Sequence, residues 1–392
     1  QCFKRFKSNI FLKDMILGGQ YNMKCLHILP MDKLSGAEKL VLILCKNMKN
    51  YEPIVICGGD TLSNVFKENG IESYSMNFSI KNINYTLSQI KRIIKENEIK
   101  VIHAHDNNAS INALLAKKIF GLNVKIISHI HSCYPWLSST NKNKIIDYLF
   151  RKRYDHNIAC GSTVYDFYRE NTNYVNQNNT SSLSNAIDVS EIDNIKEDTS
   201  QIYNQYNIPK DKIILGYVGR LIELKGIIPF IKKVKENEDK FQDCRILLVG
   251  DGPQEKEIKS LIKELNLEYL FILTGFQSNT YKFYPIIDIF FLTSKYEGLP
   301  MVILEAMTFE IPIVSMNVGS INEVVKNDYN GYLVSPQDYD EFLEKLLELK
   351  ENKKRIEDYG KKSREIIEKN YNIDDYVKKV INIYDKSLSN NF

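Results

Sequence analysis

The chain alternates short apolar runs with stretches of helical periodicity, and it does so twice over. In the first half the runs are Cys25–Leu29, Pro53–Cys57, Val101–Ala104, Val124–Ser128 and Asn157–Cys160. In the second half they are Ile213–Val218, Arg245–Val249, Phe271–Thr274, Ile289–Leu292 and Ile313–Met316. Runs that are apolar throughout, rather than alternating, predict strands buried on both faces. Helical patterns such as Leu87–Ile94 and Ile111–Phe120 lie between them. Strand–helix alternation predicts parallel sheets covered by helices on both faces, and two such sets predict two Rossmann-like domains. The polar, Asn- and Thr-rich stretch Asn171–Ser182 reads as a loop. The boundary is expected between 188 and 205, with a first domain over 23–190 and a second over 191–371. Asp338–Lys369 reads as a long, charged, amphipathic helical region and Tyr371–Ser387 as a further helix.

A length of 392 residues suits two or three domains. Seven cysteines, at 2, 25, 45, 57, 133, 160 and 244, contain no Cys-x-x-Cys pair. Neither a zinc ribbon nor a redox dithiol is signalled, and free buried thiols in a reducing cytosol are expected. No apolar run reaches the ~18 residues needed to cross a bilayer. The start, Gln1–Asn22, is basic and holds only the short Ile10-Phe11-Leu12 cluster, so it lacks the core of a signal peptide. Strand-like sequence begins at Met23, which reads as the true start, and residues 1–22 read as a leader outside the native fold. The net charge of +3 is uneven: residues 23–190 carry 20 Lys and Arg against 14 Asp and Glu, while 191–392 carry 28 against 34. That split suggests either polarity of partners, without nucleic-acid binding, or plain charge drift.

The most informative segment is Ser294-Lys295-Tyr296-Glu297-Gly298-Leu299-Pro300-Met301-Val302-Ile303-Leu304-Glu305. It sets two carboxylates eight positions apart, across a Gly-containing turn and into a predicted helix. A turn that leaves a buried strand and opens a helix presents unpaired backbone N–H groups to a ligand. A sugar nucleotide fits both features, with phosphates for the amides and hydroxyls for the acids. Arg220 and Lys225 flank a second such turn, bracketed by Gly219 and Gly226. Arg220 suits bidentate contact with a phosphate and Lys225 acts as a point charge.

Glu297-x(7)-Glu305 resembles the signature of the retaining family 4 glycosyltransferases of GT-B fold. Four further motifs are similar to that family's in order and spacing. Gly216–Lys225 is like its phosphate-binding turn, and Leu248-Val249-Gly250-Asp251-Gly252-Pro253 like its next strand end, with a helix opening at Pro253. Thr274-Gly275-Phe276 is like the strand after that, and Asn330–Val334 like its late hairpin. In the first half, Ser35-Gly36-Ala37-Glu38 resembles the family's Gly-Gly-Ala-Glu turn with Ser35 replacing one glycine, and Asn185-Ala186-Ile187-Asp188 resembles its inter-domain segment.

The resemblance implies a metal-independent transferase with no cofactor, acting on a nucleotide sugar, with UDP favoured by family frequency. Gly36, Gly219, Arg220, Lys225, Gly250, Asp251, Phe276 and Glu297–Met301 would bind the donor, and Glu305 would hold the ribose hydroxyls. Glu297 and His131 would face the donor sugar. Residues 372–392 would cross back onto the first domain.

Six histidines are present, and His103/His105 and His129/His131 form two His-x-His pairs, each on one face of a predicted strand. A zinc or iron site with Asp106 is one reading of them, a packed core position for His129 another. On the acceptor side, His105, Tyr134, Trp136, Arg151, Lys152 and Arg153 mix aromatics with bases. That composition suits either a half-buried helix or docking on an anionic membrane surface. A saccharide or polyprenyl-linked acceptor and a cytoplasmic, peripherally membrane-bound location are expected. The competing readings are a sugar-nucleotide 2-epimerase on a similar fold and a non-catalytic sugar-nucleotide-binding partner subunit.

Overall fold

The computed structural model describes residues 23–138, 141–195 and 199–389. The expectation for the leader 1–22 falls outside those residues.

Two parallel sheets account for the strands. The first holds β1 (Met23–Leu29), β2 (Tyr51–Cys57), β3 (Glu72–Ser75), β4 (Val101–His105), β5 (Lys125–Ile130), β6 (His156–Ala159) and β7 (Thr180–Ser182), in the order β3-β2-β1-β4-β5-β6-β7. The second holds β8 (Ile213–Val218), β9 (Cys244–Val249), β10 (Phe271–Gly275), β11 (Ile289–Leu292), β12 (Ile313–Met316) and β13 (Gly331–Val334), in the order β10-β9-β8-β11-β12-β13. Central strands such as β1 and β8 are buried along most of their length, so both faces must be apolar, and their sequences comply. In each sheet the strand order reverses beside the first strand, at β1/β4 and at β8/β11. Open α/β sheets bind ligands in the crevice at such a reversal, outside the carboxyl ends of the strands. The two crevices take the loops after β1, β4, β8 and β11, which carry most of the residues singled out above.

Local chemistry fixes the helix that opens the first crevice. Ser35 precedes the helix Gly36–Asn47, and its backbone N–H and hydroxyl both donate to the Glu38 carboxylate, the reciprocal half of a capping box. The helix Asp106–Phe120 after β4 ends on Gly121 in the left-handed conformation (φ +60°), a standard stop.

The domains are joined at one place. The chain leaves the first domain through Ile187 and returns beside it, Ile187 bonding both Tyr371 and Ile373 through the backbone. The closing helix Ile373–Ser389 then packs on the helix Gly36–Asn47. Tyr51 Oη donates to Asp385 at 2.8 Å, and Tyr384 Oη reaches His103 Nδ1 at 2.7 Å. The two-domain GT-B arrangement is therefore present.

Several expectations need correction. Asn330–Val334 is not a hairpin: Gly331–Val334 forms β13, parallel to β12. The helical region expected over Asp338–Lys369 is present, divided into Tyr339–Lys350 and Lys353–Asn370 at Asn352, whose side chain accepts from Arg355 N at 3.0 Å and caps the second. The helix expected at Pro253 begins at Glu255. The end of the Asn171–Ser182 loop is an edge strand, β7, and β3 is a second edge strand missed in the sequence.

Candidate active site

At the end of β8 the turn Gly219-Arg220-Leu221 is locked to the next loop by backbone contacts. Gly219 N donates to Val249 O at 2.9 Å and Leu221 N to Asp251 O at 2.7 Å. A Cβ on Gly250 would lie 2.1 Å from Gly219 O, and one on Gly252 would lie 2.3 Å from Leu221 O. The pair of glycines is thus required by close approach, and Asp251 contributes its carbonyl. The neighbouring turn is clamped to β11, since Thr293 Oγ1 donates to Lys225 O at 2.7 Å and Lys295 N to Leu224 O at 2.8 Å.

Lys225 and Glu297 meet in an ion pair across this crevice, with side chains 19% and 12% exposed. Tyr217 lies beneath them, donating to Arg220 O at 2.9 Å. Burial, reinforced by the Glu297 charge, pushes its phenol well above the usual range and keeps it neutral. The Arg220 side chain is exposed and has no carboxylate partner among the described residues. A cation paired with an acid and a second cation left open could both meet an incoming anion.

Pro300 caps the helix Met301–Thr308, whose first amides lack intrahelical acceptors. The loop before it is held from both domains. Ser320 N donates to Gly298 O at 2.8 Å, and Asn185 Nδ2 of the first domain donates to Leu299 O at 2.6 Å. A Cβ on Gly298 would lie 2.3 Å from His131 O, so the loop passes directly against the other domain. Gly36 faces Met301 in the same interface.

Glu305 differs from Glu297. It is buried, its Oε2 accepts from Tyr284 Oη at 2.6 Å, and its Oε1 pairs with Lys39 Nζ of the first domain at 2.7 Å. Lys39 also sits 3.9 Å from the centre of the Tyr281 ring. Both oxygens of the expected ribose ligand therefore already have partners. Phe276 is 70% exposed, so it is not a core aromatic.

In the first domain, the registers His27↔His103 and His105↔His129 bring three adjacent strands' histidines onto one face. His27 Nδ1 lies 3.2 Å from His105 Nε2, and His105 Nδ1 lies 3.1 Å from His131 Nε2. His103 Nε2 lies 3.2 Å from His129 Nδ1. Burial pushes His27 down to about 3 and holds His103, His105 and His129 well below the ordinary imidazole value. His131 is lowered by burial in spite of Asp106 and Glu38 nearby. The layer is neutral at pH 7. Two trios, His27/His103/His105 and His105/His129/His131, each bring one nitrogen per ring within 4.8 Å; Asp106, expected in a zinc or iron set, belongs to neither and accepts from Tyr134. The same rings are engaged with one another.

The acceptor-side set divides. His105 is buried inside the layer and is not a surface residue. Arg151 is 1% exposed, which overturns its placement on a membrane-facing surface. Its guanidinium forks onto Asp147 at 2.7–3.0 Å and reaches Asn157 at 3.3 Å, pinning the helix Lys142–Arg151 to the sheet. Tyr134 stacks on Trp136 with ring centres 5.4 Å apart and donates to Asp106. Lys152 and Arg153 are exposed, beside the exposed Ile145, Tyr148 and Leu149.

Sequence reasoning missed Lys39, Tyr217, Tyr284, Gly319 and Glu323. Gly319, at φ +58°, has no room for a Cβ, which would sit 2.4 Å from the carbonyls of Glu297 and Gly298. Glu323 accepts from Ser162 N and Oγ across the interface, and also from Ser184. Burial alone would raise its carboxyl, but those bonds outweigh it and hold it below the usual range. The glycine after β12 was the one available signal; the others depend on folding.

Residues 34–191 match the family described as Glycosyltransferase Family 4, and residues 198–372 the family described as Glycosyl transferases group 1. The chain is 21% identical over 348 residues to the UDP-Gal:alpha-D-GlcNAc-diphosphoundecaprenol alpha-1,3-galactosyltransferase of Escherichia coli, covering 84% of this chain and 89% of that protein. It is 24% identical to the N-acetyl-alpha-D-glucosaminyl L-malate synthase of Bacillus anthracis, covering 71% and 72%. Its fold is similar to that of Anabaena Alr3699/HepE, solved in complex with UDP-glucose, with a TM-score of 0.81 at 19% identity over 92% of this chain and 100% of that one.

Proposed function

The chain belongs to the group 1 glycosyl transferases of family 4, and on that premise we propose that it transfers a hexose-type sugar with retention and without a divalent ion. The donor is a nucleoside diphosphate sugar, UDP favoured, and the acceptor a saccharide or polyprenyl-linked saccharide. The names of the Escherichia coli relative and of the Anabaena complex support that donor class, and the former supports the lipid-linked acceptor. Surface-polysaccharide assembly is the setting this implies.

The observation that carries the proposal is the Lys225–Glu297 pair beside the helix Met301–Thr308, opposite Gly36 and His131, with Arg220 on the turn that Tyr217 braces. Breaking the bond between sugar and phosphate oxygen leaves negative charge on the diphosphate. Fixed cations and helix-end amides lower that charge's energy most in the transition state. On donor entry Lys225 exchanges Glu297 for a phosphate oxygen, and Glu297 turns to the sugar hydroxyls. Ribose hydroxyls take the place of Lys39 on Glu305. The acceptor oxygen bonds to the anomeric carbon on the face the phosphate leaves, and its proton passes to the departing phosphate oxygen.

No helix among the described residues is long and apolar enough to cross a membrane. The proposed location is cytoplasmic with peripheral docking, and what supports the docking is the basic and apolar surface of Lys152 and Arg153 beside Ile145, Tyr148 and Leu149, suited to anionic lipid. The test is release of nucleoside diphosphate from a panel of UDP- and GDP-sugars, with and without anionic vesicles, with the product anomer read by NMR. A UDP-sugar is expected to react with its configuration retained, faster with vesicles. An inverted product would end the retaining assignment, and no release or donor-induced thermal shift with any sugar would end the transferase reading.

A further inference from the structure

His27, His105 and His131 form a single string of imidazoles from the core to the cleft. Each neutral ring carries one proton, so each N···N contact has one donor and one acceptor. Only two polarities are possible. In one, His131 Nε2–H donates to His105 Nδ1 and His105 Nε2–H to His27 Nδ1. The proton of His27 then sits on Nε2. That atom is fully buried and has no partner among the described residues. In the other polarity His27 Nε2 is a bare lone pair. A buried donor without an acceptor is the rarer native defect, and an unmet acceptor is tolerated better.

We propose that His27 and His105 are positioning residues that set the tautomer of His131: protons point outward along the string, and His131 keeps its own on Nδ1, as a donor toward the cleft. The proposal rests on the transferase reading for what that proton does. Strand register supplies the rigidity, because His103 stacks on His105 with ring centres 4.3 Å apart and His129 on His131 at 4.1 Å. The parallel string Tyr384–His103–His129 leaves one donor unmatched in either direction, since His129 Nε2 is also buried and unpartnered, so it imposes no polarity of its own. A neutral Nδ1–H suits this chemistry. It hydrogen-bonds a sugar or phosphate oxygen without adding positive charge beside an anomeric centre that is itself becoming positive. It also rules His131 out as the base, which leaves the acceptor's proton to the departing phosphate.

The test uses the full chain with 15N-labelled histidine and long-range proton–nitrogen correlation, His131 being assigned from the His131→Gln spectrum. In the donor-free protein the proton of His131 is expected on Nδ1, with Nε2 bare. His27→Asn, whose amide nitrogen takes the place of Nδ1 as donor, keeps that pattern. His27→Asp puts an acceptor where Nδ1 donated, so His105 carries its proton on Nε2, His131 shifts to the Nε2–H form and kcat falls about tenfold, the upper range for one neutral hydrogen bond, with little change in donor KM. His27→Glu serves as the second variant should His27→Asp fail to fold. A proton on Nε2 of wild-type His131, an unchanged tautomer in both acidic variants, or a stoichiometric metal ion found bound to these rings would overturn the proposal. The spectrum needs no donor, so it reads the tautomer whether or not sugar transfer is ever found.

Discussion

At the scale of single residues, charge decides between roles that composition leaves equal. Lys225 and Arg151 are both basic residues near predicted crevices. One is paired at the mouth of a cleft with Glu297, and the other is sealed in the core on Asp147. Replacing Lys225 with Ala is expected to lower turnover roughly 10²-fold, the scale of losing one charge-stabilising group, with a normal melting temperature. Steady-state kinetics and a thermal scan check both halves. Arg151→Ala should do the reverse. It leaves the Asp147 carboxylate buried with Tyr174 as its remaining donor at 2.8 Å, and breaking a buried pair this way costs about 3–5 kcal/mol. Chemical denaturation measures that loss, and a variant as stable as the parent would contradict the assignment. In the sequence Arg151 stood next to Lys152 and Arg153, and the one local signal was Asp147 a helical turn before it. Asn157 joins the pair only when β6 and the helix Lys142–Arg151 pack.

At the scale of elements, the central strands were legible because burial on both faces writes a continuous apolar run. The edge strands β3 and β7 were not, since Glu72–Ser75 and Thr180–Ser182 are short and polar, as edges must be. The break at Asn352 was hidden because charged helical periodicity runs through it. Alternation placed each His-x-His pair on one face, but the order β1-β4-β5 is what merges them with His27 into one layer. That layer makes stability depend on pH. Its imidazoles titrate far lower when folded than the ~6.5 of an unfolded chain, so the unfolded state binds more protons below that value. The layer's contribution is complete above pH ~6.5 and falls as pH drops toward the folded values, each histidine adding about 1.4 kcal/mol per pH unit. The melting temperature should therefore fall steeply from pH 6.5 to 5, less so in His27→Leu. A flat profile over that range would contradict neutral burial.

At the scale of the molecule, the chain crosses between domains twice side by side and is then bolted by polar contacts. Lys39 meets Glu305, Ser162 and Ser184 meet Glu323, and Asn185 meets Leu299. None of these pairs is close in sequence, so the site's two walls were readable separately while their meeting was not. The paired motifs Glu297/Glu305 and Arg220/Lys225 were readable because turn chemistry and spacing are local. The central claim is that protein cations and helix amides, not a metal ion, neutralise the leaving diphosphate. Nucleoside diphosphate release from the reactive UDP-sugar in excess chelator tests it most directly. The account predicts undiminished release from the parent protein and a loss of roughly 10²-fold in Lys225→Ala. Complete inactivation by the chelator, restored by added divalent ion, would contradict it.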